Sequence, residues 1–200
     1  MRITGGNWRG RRLAVPRGRD VRPSSDRVRE SLFSVLQHND LGRADGPVLP
    51  VAPTGGTQVL DACAGTGALG IEALSRGAAH AIFFDLAHSA LGCVRENLVM
   101  LGADAHAVVR HTDATTPPRA SPGEACDLVF LDPPYASDIA ARALPALVGR
   151  DWLAPDPPAI PEGFVEVDRR AYGTTALLIL RFAPADAKTG DTADRSTFPA

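Results

Sequence analysis

The chain is poor in cysteine and lysine and contains no long apolar run. Its three cysteines, Cys63, Cys93 and Cys126, lie scattered through 200 residues, without the paired spacing of a metal site or a disulfide framework. We therefore expect buried thiols in a reducing compartment and no bound metal. No apolar stretch reaches membrane-spanning length, and the basic N-terminus lacks the apolar stretch of a signal peptide. These features predict a cytoplasmic protein with no membrane partner, which we expect to be a monomer.

Lysine occurs once, whereas arginine is concentrated at the N-terminus. Residues 1–30 contain nine arginines against three acidic residues, a local charge of +6, although the whole chain has a formal net charge of −2. A basic segment on an otherwise acidic protein predicts a polyanionic partner. The alternative is a solvated, charged arm that binds nothing.

The pattern of apolar residues predicts one α/β domain with a small N-terminal extension. Residues 1–41 are predicted to form a basic arm of short strands and turns, followed by a helix over 26–38 with one apolar face. Residues 42–57 are rich in Gly and Pro and predict a linker loop. Residues 58–182 form the main domain, and the polar segment 183–200 is predicted to be a disordered tail.

Within the main domain, short apolar runs alternate with amphipathic stretches. Strands are predicted over 58–62, 81–84, 107–109 and 128–131, and helices over 68–76, 87–101 and 139–148. This alternation is typical of a doubly wound, mostly parallel sheet. Two further strands, 164–167 and 176–182, joined through Tyr172-Gly173, predict an antiparallel C-terminal hairpin.

A glycine-rich turn follows the first strand. The stretch Asp61-Ala62-Cys63-Ala64-Gly65-Thr66-Gly67-Ala68-Leu69-Gly70 lets the backbone approach a ligand and exposes amides at a helix N-terminus. Asp85 ends the next strand about twenty residues later, where a carboxylate hydrogen-bonds the ribose of an adenosine-containing ligand. Asp113, after the third strand, is placed to accept from an adenine amine. Taken singly, each Asp is better explained as a cap at a loop, whereas four acids at four successive strand ends beside a glycine turn favour a ligand site.

The tetrapeptide Asp132-Pro133-Pro134-Tyr135 follows the fourth strand. Its two prolines stop strand pairing and stiffen the backbone at the edge where ligands of open α/β sheets bind. A carboxylate, a rigid elbow and an aromatic ring at one place can hold a flat ring that carries an amine. A Pro-rich turn without function is the alternative.

The type of cofactor follows from what surrounds the glycine turn. No Gly-Lys-Ser/Thr follows Gly67, which excludes a P-loop. A nicotinamide enzyme needs a proton relay, typically Tyr/Lys or His, but the five histidines fall at none of the predicted loop sites except His111, which favours structural roles for them. S-adenosyl-L-methionine fits best, because its adenosine would meet the strand-end acids and its amino-acid part the glycine turn.

The glycine turn and the later DPPY tetrapeptide resemble those of Rossmann-like class I methyltransferases that modify exocyclic amines. Three further stretches resemble the RsmD family, which methylates a guanine N2 in 16S ribosomal RNA. They are Arg2-Ile3-Thr4-Gly5-Gly6 with Arg9-Gly10-Arg11, the stretch from Arg22 to Glu30 (RPSSDRVRE), and Tyr172-Gly173-Thr174-Thr175. The resemblance covers residues 1–41, 58–150 and 162–182.

The resemblance implies a role for each candidate residue. Ala64, Gly65, Thr66 and Gly67, together with Asp61, would surround the amino-acid part of the cofactor, Asp85 its ribose and Asp113 its adenine. Asp132 and the Pro133 carbonyl would accept from the guanine amine on the elbow that Pro133 and Pro134 form, with Tyr135 stacked on the base. The arginines expected to grip RNA phosphates are Arg9, Arg11, Arg12, Arg22, Arg27 and Arg29.

One region departs from the family pattern. Residues 153–161 are rich in proline where family members carry an apolar fifth strand. This departure leaves open a degenerate protein that binds cofactor and RNA without turnover. An adenine-N6 methyltransferase acting on DNA or RNA is the enzymatic alternative, since the same elbow serves both bases.

Overall fold

The structure is a computed structural model that describes residues 1–15, 26–38, 56–134, 138–153, 163–172 and 175–183. Several predictions therefore concern residues outside the described part: those for Arg22, Tyr135, the linker over 42–55, most of 153–161, the Gly173-Thr174 turn and the tail from 184.

Helices and strands alternate along the described chain. The strands are β1 (Gln58–Asp61), β2 (His80–Asp85), β3 (Ala107–His111), β4 (Leu128–Phe130), β5 (Gly163–Tyr172) and β6 (Thr175–Ala183). The helices are α1 (Asp26–His38), α2 (Ala68–Ser75), α3 (His88–Leu101) and α4 (Ile139–Gly149), with short 3-10 turns at Gly6–Trp8 and Asp104–His106. Left-handed Gly102 ends α3, as the sequence predicted.

The first four strands form one parallel sheet in the order β3-β2-β1-β4. β2 and β3 therefore lie on one side of β1 and β4 lies on the other, so the strand order switches between β1 and β4. This switch point leaves a crevice at the carboxyl ends of the two strands. β5 and β6 pair with each other as a two-stranded antiparallel ladder. Within the described residues, β4 pairs with β1 alone, and an isolated parallel bridge between Cys126 and Leu153 lies two residues before β4 begins.

Alternating residues of the central strands supply two cores. On β2, Phe83 packs into the core that the arm, α1, α2 and α3 share, whereas Phe84 faces the core beneath α4. This two-residue period follows from the pleat of a strand buried on both faces. In the second core, Trp152 is fully buried against Phe84, with ring centroids 4.9 Å apart. Each such aromatic side chain contributes about 1.5–3 kcal/mol through burial.

The N-terminal arm folds back on itself and docks on α2. Ile3 donates its amide to the Arg11 carbonyl, and Gly10 donates to the Ile3 carbonyl. Glu72, buried in α2, accepts hydrogen bonds from the amides of Thr4 and Gly5. The arm is thereby fixed to the helix that begins at the glycine turn.

The prediction that Arg29 binds RNA is wrong. We expected it to contact RNA phosphates, but it is 1% exposed in the interface between α1 and the arm. Its guanidinium donates to the Arg2 carbonyl at 2.6 Å and to Asp26 Oδ1 at 2.7 Å. Because its charge is already compensated inside the fold, Arg29 fixes the arm and is not part of a phosphate-binding surface.

Candidate active site at the carboxyl edge of the sheet

The glycine turn is held in shape by its own backbone. The Gly67 amide donates to the Ala64 carbonyl at 2.7 Å, and the Ala64 amide donates to the Phe84 carbonyl at 2.9 Å. Gly67 has φ +76°, and a Cβ there would lie 3.1 Å from Val94. Gly65 has φ +54°, but a Cβ there would meet only open space. The turn thus needs glycine at both positions, and it leaves room beside Gly65 where a ligand can approach.

Asp85 ties this turn to α3. Its Oδ2 accepts from the Gly65 amide and its Oδ1 from the Ala87 amide, each at 2.8 Å. A carboxylate oxygen has a second lone pair, so both oxygens remain able to accept from a pair of neighbouring hydroxyls. Asp85 is half-buried, in keeping with a group that faces a ligand site.

Asp61 differs from Asp85, although both end a strand. It is 1% exposed, and its Oδ2 accepts from the Gly70 amide at 3.0 Å. Burial raises the pKa of Asp61 to about 7; the Gly70 hydrogen bond opposes this rise, while the charges of Asp132 and Asp85 add to it. This bond makes Asp61 a brace between β1 and α2.

Asp113 and Asp132 complete the edge. Asp113 Oδ1 accepts from the amide and the hydroxyl of Thr115, and these bonds hold the pKa of Asp113 below its usual value. Asp132 is exposed beyond β4, next to half-buried Pro133 and exposed Pro134. The β4 end is tied to the glycine turn, because the Ala62 amide donates to the Phe130 carbonyl at 2.9 Å.

The four strand-end acids form one electrostatic unit around Cys63. Burial, followed by the negative charge of four carboxylates, raises the pKa of this thiol to about 12. The carboxylates belong to Asp61, Asp85, Asp132 and Asp113. Because β1 to β4 are parallel neighbours in one sheet, the four acids that end or follow these strands lie at the same edge, along the crevice. Such a crevice favours a cationic ligand, and it leaves Cys63 as a neutral thiol with little nucleophilic character.

Four of the predicted phosphate-binding arginines lie at the surface. Arg9, Arg11 and Arg12 of the arm are exposed, as is Arg27 on α1, in contrast to buried Arg29. In the described part of the chain, no group of three or more His, Cys, Asp or Glu side chains is arranged to hold a metal ion, and no helix is long and apolar enough to cross a membrane.

Two buried polar residues at this site were missed from the sequence. Glu72 anchors the arm, and Asn97 on α3 hydrogen-bonds both the arm and the glycine turn. A signal was available for Asn97, because it interrupts the apolar face that carries Val94 and Leu98. A polar residue at such a position has to find partners inside the fold.

Comparison with known proteins identifies the family. The model of the family described as "Conserved hypothetical protein 95" matches residues 1–181. "Ribosomal RNA small subunit methyltransferase D" of Escherichia coli K12 is 38% identical over 154 residues, 77% of this chain and 70% of that protein. The chain belongs to the RsmD methyltransferase family. Another relative, the "Putative rRNA methyltransferase YlbH" of Bacillus subtilis, is 38% identical over 68% of this chain and 67% of its own length.

Solved structures agree with the RsmD assignment. The "putative methyltransferase yhhF" from Escherichia coli matches with a TM-score of 0.69 and 29% identity, over 93% of this chain and 99% of that one. The "putative methylase HI0767" from Haemophilus influenzae matches with a TM-score of 0.64 and 27% identity, over 91% of this chain and 98% of that one. The predicted Rossmann-like class I methyltransferase fold is thereby confirmed.

Proposed function

We propose that this chain transfers a methyl group from S-adenosylmethionine to the exocyclic N2 of a guanine in small-subunit ribosomal RNA. The observation that carries the proposal is the row of four acids at the carboxyl edge of the parallel sheet, with the glycine turn bound to Asp85 on one side and exposed Asp132 beyond β4 on the other. Relatives named as small-subunit ribosomal RNA methyltransferases supply the substrate class.

The residues of the crevice suit this cofactor. S-adenosylmethionine supplies a methyl group made electrophilic by a sulfonium charge, and it carries an ammonium group as well. The carboxylates favour both cations, Asp85 has acceptor capacity left for ribose hydroxyls, and the space beside Gly65 admits the amino-acid part. Asp113 is assigned to the adenine amine.

The elbow after β4 would act on the amine. A guanine N2 lone pair is delocalised into the ring, so the amine is a weak nucleophile. Accepting its hydrogens at Asp132 and at the Pro133 carbonyl localises the lone pair and directs it toward the methyl group. The two prolines keep the acceptors in place, and Tyr135 is assigned to stack on a base that has left its helix. Methyl transfer leaves N2 cationic, and this cation loses a proton to solvent to give the neutral methylated amine.

The arm would bring the RNA. Arg9, Arg11, Arg12 and Arg27 are exposed and would neutralise phosphates, and Arg22 is assigned with them. The proposed substrate implies a cytoplasmic protein, and we keep the expectation that it acts as a monomer, which light scattering during gel filtration tests.

One experiment separates the alternatives. Purified protein is incubated with methyl-labelled S-adenosylmethionine and small-subunit particles or rRNA from cells that lack the gene, and the RNA is digested to nucleosides for mass spectrometry. We expect labelled N2-methylguanosine. Labelled N6-methyladenosine would support the adenine alternative, whereas cofactor binding without labelled product would support a degenerate protein.

A further inference from the structure

Asn97 joins two parts of the molecule that are far apart in the sequence. It is fully buried on α3, and its Oδ1 accepts from the Ala14 amide at 2.7 Å while its Nδ2 donates to the Ala14 carbonyl at 3.2 Å. The same Nδ2 donates to the Thr66 carbonyl, also at 3.2 Å. One side chain therefore binds the arm and the glycine turn at once.

These contacts need a carboxamide. Its oxygen faces an N–H group, and the two hydrogens of its nitrogen face two carbonyls, so each contact has a donor and an acceptor. An aspartate would keep the acceptor but would turn a second oxygen toward the carbonyls of Ala14 and Thr66. An alanine would leave all three backbone groups without this partner.

The arm also reaches the glycine turn at a second point. The sulfur of Met1 lies 3.9 Å from the Thr66 hydroxyl. Thr66 is thus held by the arm through its side chain and through its carbonyl, the latter by way of Asn97. Gly67, whose left-handed conformation opens α2, follows directly, so the position of the arm and the shape of the turn depend on each other.

We propose that Asn97 is a positioning residue that couples cofactor binding to RNA binding. This inference rests on the proposed function, since it takes the glycine turn as the cofactor site and the exposed arm arginines as the RNA site. RNA that fixes the arm also fixes Ala14, and Asn97 transmits this restraint to Thr66. By thermodynamic linkage, cofactor bound at the turn must strengthen RNA binding by the same factor.

The coupling is measured with S-adenosylhomocysteine, which transfers no methyl group. Its Kd for the full chain is determined by calorimetry with and without a saturating small-subunit rRNA transcript, and the Kd of the transcript with and without S-adenosylhomocysteine. We expect each ligand to lower the Kd of the other roughly fivefold or more in the wild type. In Asn97→Ala and Asn97→Asp the ratio of the Kd without the second ligand to the Kd with it should fall to about one.

Ser75→Ala is the matched control. Ser75 is also buried and also anchors the arm, since its hydroxyl donates to the Gly5 carbonyl and accepts from the Trp8 amide, but no hydrogen bond links it to the glycine turn among those of the described chain. A purely structural role for Asn97 would make the two residues equivalent: both substitutions would lower stability and both would keep the ratio. We expect the ratio to survive in Ser75→Ala alone.

The outcomes are distinct. Independent binding of the two ligands to the wild type, or an unchanged ratio in Asn97→Ala, overturns the inference and leaves the proposed function intact. Absence of S-adenosylhomocysteine binding overturns both. If the Asn97 variants fail to fold, hydrogen exchange in the wild type decides: S-adenosylhomocysteine should slow exchange of the Ala14 amide, and an unchanged rate contradicts the coupling.

Discussion

The two sides of the strand-end crevice are built with unequal support. On the cofactor side, β2 pairs with β1 and with β3 along its length, and the arm, α2 and α3 pack over it. On the substrate side, β4 pairs with β1 over three residues, and the described chain adds a single bridge to Leu153, made by Cys126 just before β4. We therefore expect damage to the fold to remove methyl transfer before it removes cofactor binding.

Asp132→Ala should have the largest effect, and it should change the substrate side of the crevice without changing the cofactor side. Loss of this acceptor should reduce methyl transfer by about a thousandfold, because the amine is no longer oriented or polarised. The Kd of S-adenosylhomocysteine should change by less than about threefold, since other groups hold the cofactor. Single-turnover labelling and calorimetry give the two numbers. Asp138→Ala, at an exposed carboxyl before α4, should leave both unchanged; retained turnover in Asp132→Ala would refute the role of Asp132.

Asp61→Asn tests, through the pH dependence of stability, whether Asp61 is a buried brace between β1 and α2. Because the pKa of Asp61 rises from 3.8 to about 7 on folding, the folded chain holds the proton more tightly than the unfolded chain. Its contribution to stability is therefore complete below about pH 4 and is lost as the pH rises to about 7.

The asparagine variant keeps an oxygen for the Gly70 amide and has no proton to lose. Its stability relative to wild type should increase between these pH values by a few kcal/mol, at about 1.4 kcal/mol per pKa unit. Urea unfolding at several pH values measures this, with Asp104→Asn at an exposed position as control. Parallel pH profiles for wild type and Asp61→Asn would contradict the buried brace.

Gly67→Ala, in the glycine turn, should have a smaller effect, also on the cofactor side. Gly67→Ala introduces a side chain at φ +76° and within 3.1–3.3 Å of three buried side chains. The strain should cost about 1–3 kcal/mol of stability and weaken S-adenosylhomocysteine binding, as thermal melts and calorimetry would show. Gly92→Ala, in α3 with open space around it, should be neutral or slightly stabilising. Equal effects at both glycines would mean that the shape of the turn is unimportant.

The arm offers the mildest test. Replacing Arg9, Arg11 and Arg12 by alanine should weaken RNA binding and reduce the slope of log K against log salt by about two to three. Fluorescence anisotropy over a salt series measures both the RNA affinity and this slope. A triple replacement of Arg95, Arg119 and Arg150, exposed arginines outside the arm, removes the same charge and should have less effect. An unchanged slope in the arm variant would remove the arm from the interface.

Local features of the site were predictable from the sequence, whereas its long-range contacts were not. Apolar runs and glycines located the strands, the turn and the end of α3, because these depend on neighbouring residues. Asp61 and Asp85 look alike in the sequence, yet one braces α2 from a buried position and the other binds the turn. Arg29 was assigned wrongly because it is buried in the contact between α1 and the arm, where it bonds the Arg2 carbonyl 27 residues away.

Buried polar residues were the hardest to assign. Glu72 and Asn97 find partners 67 to 83 residues away in the arm, and no local pattern encodes such pairs. A polar residue within an apolar face indicates that it has hydrogen-bond partners inside the fold, but it does not indicate which residues these are. The sequence predicts the arm only as an RNA-binding extension, and the structure shows it packed against α2 and linked through Asn97 to the glycine turn.

The most direct measurement is calorimetric titration of S-adenosylmethionine into the wild type and Asp85→Ala. We expect one site per chain in the wild type, and in the variant a Kd at least tenfold weaker, because Asp85 holds the Gly65 amide and is proposed to bind the ribose. Asp127→Ala, at an exposed carboxyl before β4, should bind like the wild type. A wild-type chain that binds no S-adenosylmethionine, or an Asp85→Ala variant that binds it equally well, would contradict the assignment of this crevice.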